Sequence, residues 1–172
     1  MWPWGHAAFG YATYLLGRPG AWRRTDRSTV VVLLVGTQFP DLVDKPLAWV
    51  VAVLPSGRSL AHSALTMVAL VALIWWVARR VDRAAWGPAF AVGYATHLVG
   101  DAVSPLVSGE YAELSYLGWP LLPAPDYAEP NSLDGVLAFV RSVELSSGFL
   151  AEAGVAAAVG VVLCYHFLFR TT

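Results

Sequence analysis

An all-α, polytopic membrane protein is the fold class this sequence predicts, and three observations predict it. Of 172 residues, 57% are hydrophobic and 13% charged, where soluble domains average roughly 45–50% and about 25%. Residues 60–78 and 149–169 are apolar over the roughly 20 positions that a membrane-crossing helix needs. Basic residues collect at alternate segment ends, as they do in chains that thread back and forth through a bilayer.

Taken in order, residues 4–16 form a short first segment. Residues 29–54 are apolar at both ends but interrupted by Pro40, Asp41, Asp44, Lys45 and Pro46. That pattern predicts a broken or re-entrant helix whose irregular backbone lines a protein cavity. Residues 60–78 are a firm span. Residues 84–107 are nearly as apolar but contain His97 and Asp101, which gives a span with a polar face. Residues 149–169 form the last span. The reading is about five membrane segments in a single integral membrane domain over residues 1–172, because no linker-like tract divides the chain.

The arginines orient these segments. Arg18, Arg23, Arg24 and Arg27 follow the first segment, Arg79, Arg80 and Arg83 the third, and Arg170 the last, all on one side if the chain alternates. The opposite side receives Arg58, Arg141 and an outer-side loop region, residues 108–147, with Glu110, Glu113, Asp126, Glu129 and Asp134. Short cytoplasmic loops collect Lys and Arg. The expected location is therefore the cell (inner or plasma) membrane, multi-pass, with the N-terminus outside and the C-terminus cytoplasmic. Membrane lipids are the expected partners. The eight tryptophans, Trp2, Trp4, Trp22, Trp49, Trp75, Trp76, Trp86 and Trp119, fall near segment ends and read as an aromatic belt.

Composition also narrows the chemistry. A formal net charge of -1 gives no basic face for a nucleic acid. The single cysteine, Cys164, leaves no intrachain disulfide and no Cys-based zinc cluster, so any metal must use histidine and carboxylate. Met1 to His6 lacks the basic start of a secretory signal and reads as retained structure.

His6, Asp41, Asp44, His62, His97 and Asp101 all come to a similar depth in the outer half of the membrane when the segments alternate. His97, for example, lies roughly 20 Å from the cytoplasmic end of its segment at about 1.5 Å per residue. His97 and Asp101 are four apart, so they project from one helical face as a chelating pair. Imidazoles and carboxylates together suit zinc, with manganese or magnesium at oxygen-rich variants of such a site. A metal would also remove much of the cost of ionisable groups at this depth. Simpler readings stand beside this one. Pro40-Asp41 fits a helix start, Asp44 and Lys45 fit a local ion pair, His6 fits an interfacial polar residue, and His97 with Asp101 fits a structural hydrogen bond. His166, near the inner end, has no partner at chelate spacing.

At these residues the chain resembles the family of membrane-bound metal-dependent hydrolases, also described as LexA-binding, inner-membrane-associated hydrolases. The resemblance covers most of the chain. It runs through Gly5-His6; Gly36-Thr-Gln-Phe-Pro40-Asp41-Leu-Val-Asp44; Gly57-Arg58-Ser59-Leu60-Ala61-His62-Ser63; and His97-Leu-Val-Gly-Asp101 with Trp119-Pro120. The third motif departs from the family's His-Arg-Gly-x-Thr-His-Ser, with Gly57 in place of the first His and Ala61 in place of Thr. More distantly, the order of ligands is similar to the all-α zinc enzymes of the phospholipase C and single-strand nuclease type. Their later His…His-x-x-x-Glu half is missing here, which favours one or two metals.

The resemblance implies metal-assisted hydrolysis of a phosphoester or lipid-linked substrate at the outer leaflet. His6, Asp41, His62, His97 and Asp101 would be the metal ligands. Asp41 or Asp44 would be bridging ligand or general base, and Arg58 would meet an anionic group. Two other classes remain open at this point: a non-catalytic membrane protein with a structural His/Asp metal or polar cluster, and an ion or proton transporter. The LexA-like interaction belongs to relatives, and no surface for a protein partner is legible in this chain.

Overall fold

A computed structural model describes residues 1–17, 25–126, 130, 132–142 and 145–169. Arg18, Trp22, Arg23, Arg24, Glu129 and Arg170, used above, lie outside the described residues. The regular elements among the described residues are all helices, with no strand. Its elements are α1 (Pro3–Leu16), α2 (Arg27–Trp49), α3 (Ala64–Arg80), α4 (Trp86–Ser108), a 3₁₀ helix (Tyr111–Gly118), α5 (Leu133–Arg141) and α6 (Ser147–Phe169).

Each segment read from the sequence corresponds to a long helix. By length and composition, however, α6 alone among the described helices is long and apolar enough to cross a membrane, and about five such crossings are not met by that criterion. α1, with 14 residues, and α3, with 17, are too short to meet it, whereas α2 and α4 are long enough but carry polar groups inward. α2 holds Asp41, Asp44 and Lys45, and α4 holds His97 and Asp101.

The expected break in the second segment is absent. α2 runs unbroken from Arg27 to Trp49 with Pro40 and Pro46 inside it. Each proline removes one helical N–H and crowds the carbonyl four residues back, a local loss that the packing around α2 sustains. Asp26 caps its start, accepting from the Thr29 amide at 2.7 Å and the Ser28 hydroxyl at 2.8 Å.

α4 is the central helix, packed on α1, α2 and α3, while α6 leans on α1. Its closest neighbour is α2, because the two cross at glycines. A Cβ on Gly36 would stand 2.7 Å from the Phe90 carbonyl oxygen, and one on Gly93 would collide with the Leu33 carbonyl. With no side chains between them the backbones touch, which brings the polar faces of both helices to one level. Below that level Tyr11, Tyr14, Val30, Leu33 and Ala89 form one apolar cluster, and Phe90, Tyr94 and Leu98 form another against α3.

The helices alternate in direction. The start of α2, the end of α3 and the start of α4 meet where Trp86 Nε1 donates to Ser28 Oγ at 3.0 Å and Arg83 stands 3.7 Å from Asp26. The end of α6 reaches the same level, where buried His166 bonds both the Tyr11 hydroxyl and the Thr25 carbonyl. At this end Arg79, Arg80 and Arg83 lie over Trp75, Trp76 and Trp86. The region expected on the outer side, residues 108–147, is not all loop, since it contains the 3₁₀ helix and the short amphipathic α5.

Candidate metal centre

The centre is built from a loop and two helices. Residues 50–63 join α2 to α3, and Asp44 folds this loop onto α2. Its carboxylate accepts from the amides of Ser59 (2.9 Å), Ala61 (2.8 Å) and His62 (3.1 Å). It accepts a fourth bond from His62 Nδ1 at 2.9 Å. Tyr94 of α4 donates to the Ala61 carbonyl from the other side, and Ser63 Oγ donates to Trp119 O at 2.6 Å. His62 is thus held in place by its own loop backbone.

His97 is fixed by α2. Its Nδ1 lies 2.7 Å from the Thr37 carbonyl oxygen. A carbonyl only accepts, so Nδ1 carries the proton and Nε2 presents a lone pair. The same logic applies to His62, whose Nδ1 donates to Asp44. The two Nε2 atoms then face one another at 3.2 Å. Asp41 Oδ1 lies 3.5 Å from His62 Nε2 and 3.7 Å from His97 Nε2, and Asp101 Oδ2 lies 3.5 and 3.9 Å from the same two atoms.

Asp41, His62, His97 and Asp101 therefore form one group, with ligand atoms all within 4.8 Å of one another. The geometry suits a metal. Ligand bonds of about 2.0–2.2 Å in a tetrahedron put the donor atoms about 3.3–3.6 Å apart, and the separations here bracket that range. Asp41 Oδ1 is buried and accepts no hydrogen bond, an arrangement that costs free energy unless a cation compensates it.

The other candidates stand around this group. His6, fully buried, sets Nε2 3.2 Å from Asp101 Oδ1, with its ring stacked on His97 at 3.9 Å between centroids. It meets the outer oxygen of Asp101, away from the four converging atoms. Asp44 stands behind His62. Arg58 Nε pairs with Asp101 Oδ2 at 3.0 Å. Lys45 bonds not its neighbour Asp44 but Asp41, whose Oδ2 it meets at 2.6 Å; the i,i+4 spacing was the signal for this. The Thr37 carbonyl could not be found from side-chain types, because any residue supplies one. Near the α1 start, Glu152 of α6 accepts from the Trp2 amide at 2.6 Å.

Fold and site together define an all-helical protein with a buried His/Asp centre between two parallel helices, α2 and α4, and, among the described residues, one helix fit to span a bilayer. The chain belongs to the YdjM inner membrane protein family, whose model matches residues 1–171. No curated protein and no solved structure matches it.

Proposed function

We propose that this protein is a multi-pass inner-membrane hydrolase. It uses a divalent metal, zinc or alternatively manganese or magnesium, to cleave a phosphoester or lipid-linked substrate at the outer leaflet. One observation carries the reading: two imidazole nitrogens meet at 3.2 Å with their protons committed elsewhere, and two carboxylate oxygens converge on them. A single proton would satisfy one of these contacts. A divalent ion satisfies all four atoms.

In this reading Asp41 Oδ1, His62 Nε2, His97 Nε2 and Asp101 Oδ2 hold the ion. When bound, it acidifies a water and polarises the bond to be cut. His6 orients Asp101. Asp44, its oxygens committed to four donors, positions His62, and Asp41 can accept a proton at Oδ2 once Lys45 turns from it to the substrate. Arg58 and Lys45, each paired with a ligand carboxylate, meet the anionic part of the substrate.

The multi-pass orientation, N-terminus outside, is supported by the arginine-bearing end of the bundle and by the apolar side chains that α3 and α4 expose, among them Val68, Leu73, Val99 and Val103. Lipid is the solvent such faces suit. The test is cleavage of phosphodiester and lipid phosphate substrates by purified protein. His97→Ala and Asp101→Asn are expected to abolish turnover while the protein still accumulates in membranes. If instead they lower only the amount of folded protein, the cluster is structural and the hydrolase reading falls.

A further inference from the structure

Beside the metal centre lies a cavity of about 640 Å³, within the size range of small-molecule sites. Its walls differ in chemistry. On one side stand Lys45, paired with Asp41 and lying over the Trp49 ring, and Arg58, paired with Asp101. On the other stand Trp2, Trp49, Phe139 and Val140. The two cations thus lie between the reactive cluster and an apolar chamber.

The far wall is α5. Val136, Phe139 and Val140 of this short helix line the cavity, and Phe139 meets Trp49 with ring centroids 6.0 Å apart. Leu133 and Leu137 on the same helix are exposed. An amphipathic helix with apolar residues both toward a cavity and away from the protein lies naturally in the membrane interface. Trp49 contributes a further feature, because its buried indole N–H has no acceptor and suits an oxygen-rich ligand.

We infer that this cavity binds a phosphorylated lipid by its head and one chain, with the phosphate on Lys45 and Arg58 and the chain between Trp49 and α5. The inference rests on the hydrolase reading for its charge balance. With a divalent ion in place, the three carboxylates Asp41, Asp44 and Asp101 are outweighed by the ion, Lys45 and Arg58, so the floor of the cavity attracts an anion. Glu152 also lines the cavity and keeps its charge while accepting from the Trp2 amide, and the Met1 ammonium, which lines the cavity 3.2 Å from Asp101 Oδ1, offsets it. An anionic head with an apolar tail matches both walls, whereas a free phosphate would leave the aromatic wall unused. α5 is then the cover that senses chain length.

Dodecylphosphonate, whose C–P bond is not a hydrolysable ester, separates binding from turnover. The full chain, loaded with zinc or manganese, is placed in phosphatidylcholine nanodiscs and titrated with radiolabelled dodecylphosphonate. Saturable binding is expected, with butylphosphonate and inorganic phosphate competing at least tenfold more weakly. The Phe139→Ala, Val140→Ser double variant is expected to lose at least tenfold in dodecylphosphonate affinity while keeping its metal and its affinity for butylphosphonate. Equal competition by inorganic phosphate, or a double variant that binds as wild type, overturns the inference.

A dodecylphosphonate with a diazirine at the chain end gives a second measurement on unmutated protein. Labelling of Trp49 or residues 136–140 is expected, and labelling confined to α3 or α6 overturns the assignment. Wild type that keeps its metal yet shows no saturable phosphonate binding removes this inference and leaves the hydrolase reading standing. A chain that holds no metal removes the hydrolase reading, and the photolabel still reports where the amphiphile sits.

Discussion

Asp44 shows how much one side chain does in this molecule. Three loop amides and the His62 ring all donate to it, so it fixes both the loop conformation and the proton position that leaves His62 Nε2 as a ligand. Asn in its place keeps one acceptor oxygen and strands buried donors, at about 1–3 kcal/mol for each unsatisfied group. Asp44→Asn is therefore expected to lower thermal stability in detergent and to weaken metal binding at least tenfold. Unchanged melting and unchanged metal affinity would deny Asp44 this role. At this scale spacing on one helix was the most informative signal, although the expected Asp44–Lys45 pair gave way to the i,i+4 pair of Asp41 and Lys45. His97 with Asp101 was legible from the i,i+4 rule. The convergence of Asp41, His62, His97 and Asp101 followed from their shared depth, but the individual hydrogen bonds, Asp44 to the loop amides and His97 to the Thr37 carbonyl, were not legible, since they depend on where α2 lies against α4 and against the loop 50–63.

At the scale of elements, the α2–α4 crossing sets the distance between Asp41 and the His97–Asp101 pair. Gly93→Ala places a Cβ against the Leu33 carbonyl, a backbone atom that cannot move aside as a side chain would. Overpacking costs typically 1–3 kcal/mol, and a clash with backbone belongs at about 3 kcal/mol or more. The variant is expected to lose both stability and metal together, measured by melting and elemental analysis; a stable variant with full metal would show that the crossing does not govern the centre. α6 is held differently. His166, fully buried, donates from Nε2 to the Thr25 carbonyl at 2.9 Å and accepts at Nδ1 from the Tyr11 hydroxyl at 3.0 Å. His166→Ala is expected to raise hydrogen exchange in α6 and α1 while metal content stays at the wild-type level. Loss of metal in that variant would tie the His166 end of the bundle to the centre. The continuity of α2 through Pro40 and Pro46 was not legible, because proline reports a missing donor and not whether neighbouring helices keep the rest of the turn in place.

Over the whole molecule, the all-helical class and the positions of the long helices followed from composition and apolar length, within a few residues at their ends. α5 was folded into a loop region because its nine residues are too few to register as a span, although Leu133, Val136, Leu137 and Val140 repeat at helical spacing. The long helices alternate in direction at the Arg79, Arg80 and Arg83 end, and the membrane topology expected from the charge pattern is open to test. With Cys164 replaced, a cysteine at Ser108 is expected to react with a membrane-impermeant maleimide from outside intact cells, whereas reaction from the cytoplasmic side only would invert the molecule.

Everything proposed for the site depends on Asp41, His62, His97 and Asp101 acting together on one ion. The direct measurement is elemental analysis of detergent-purified wild type beside the Asp41→Asn, His97→Ala double variant. That dependence predicts about one divalent ion per wild-type chain, lost in the variant at equal protein recovery. Wild type that carries no metal, and takes none up on dialysis against zinc or manganese, would contradict it.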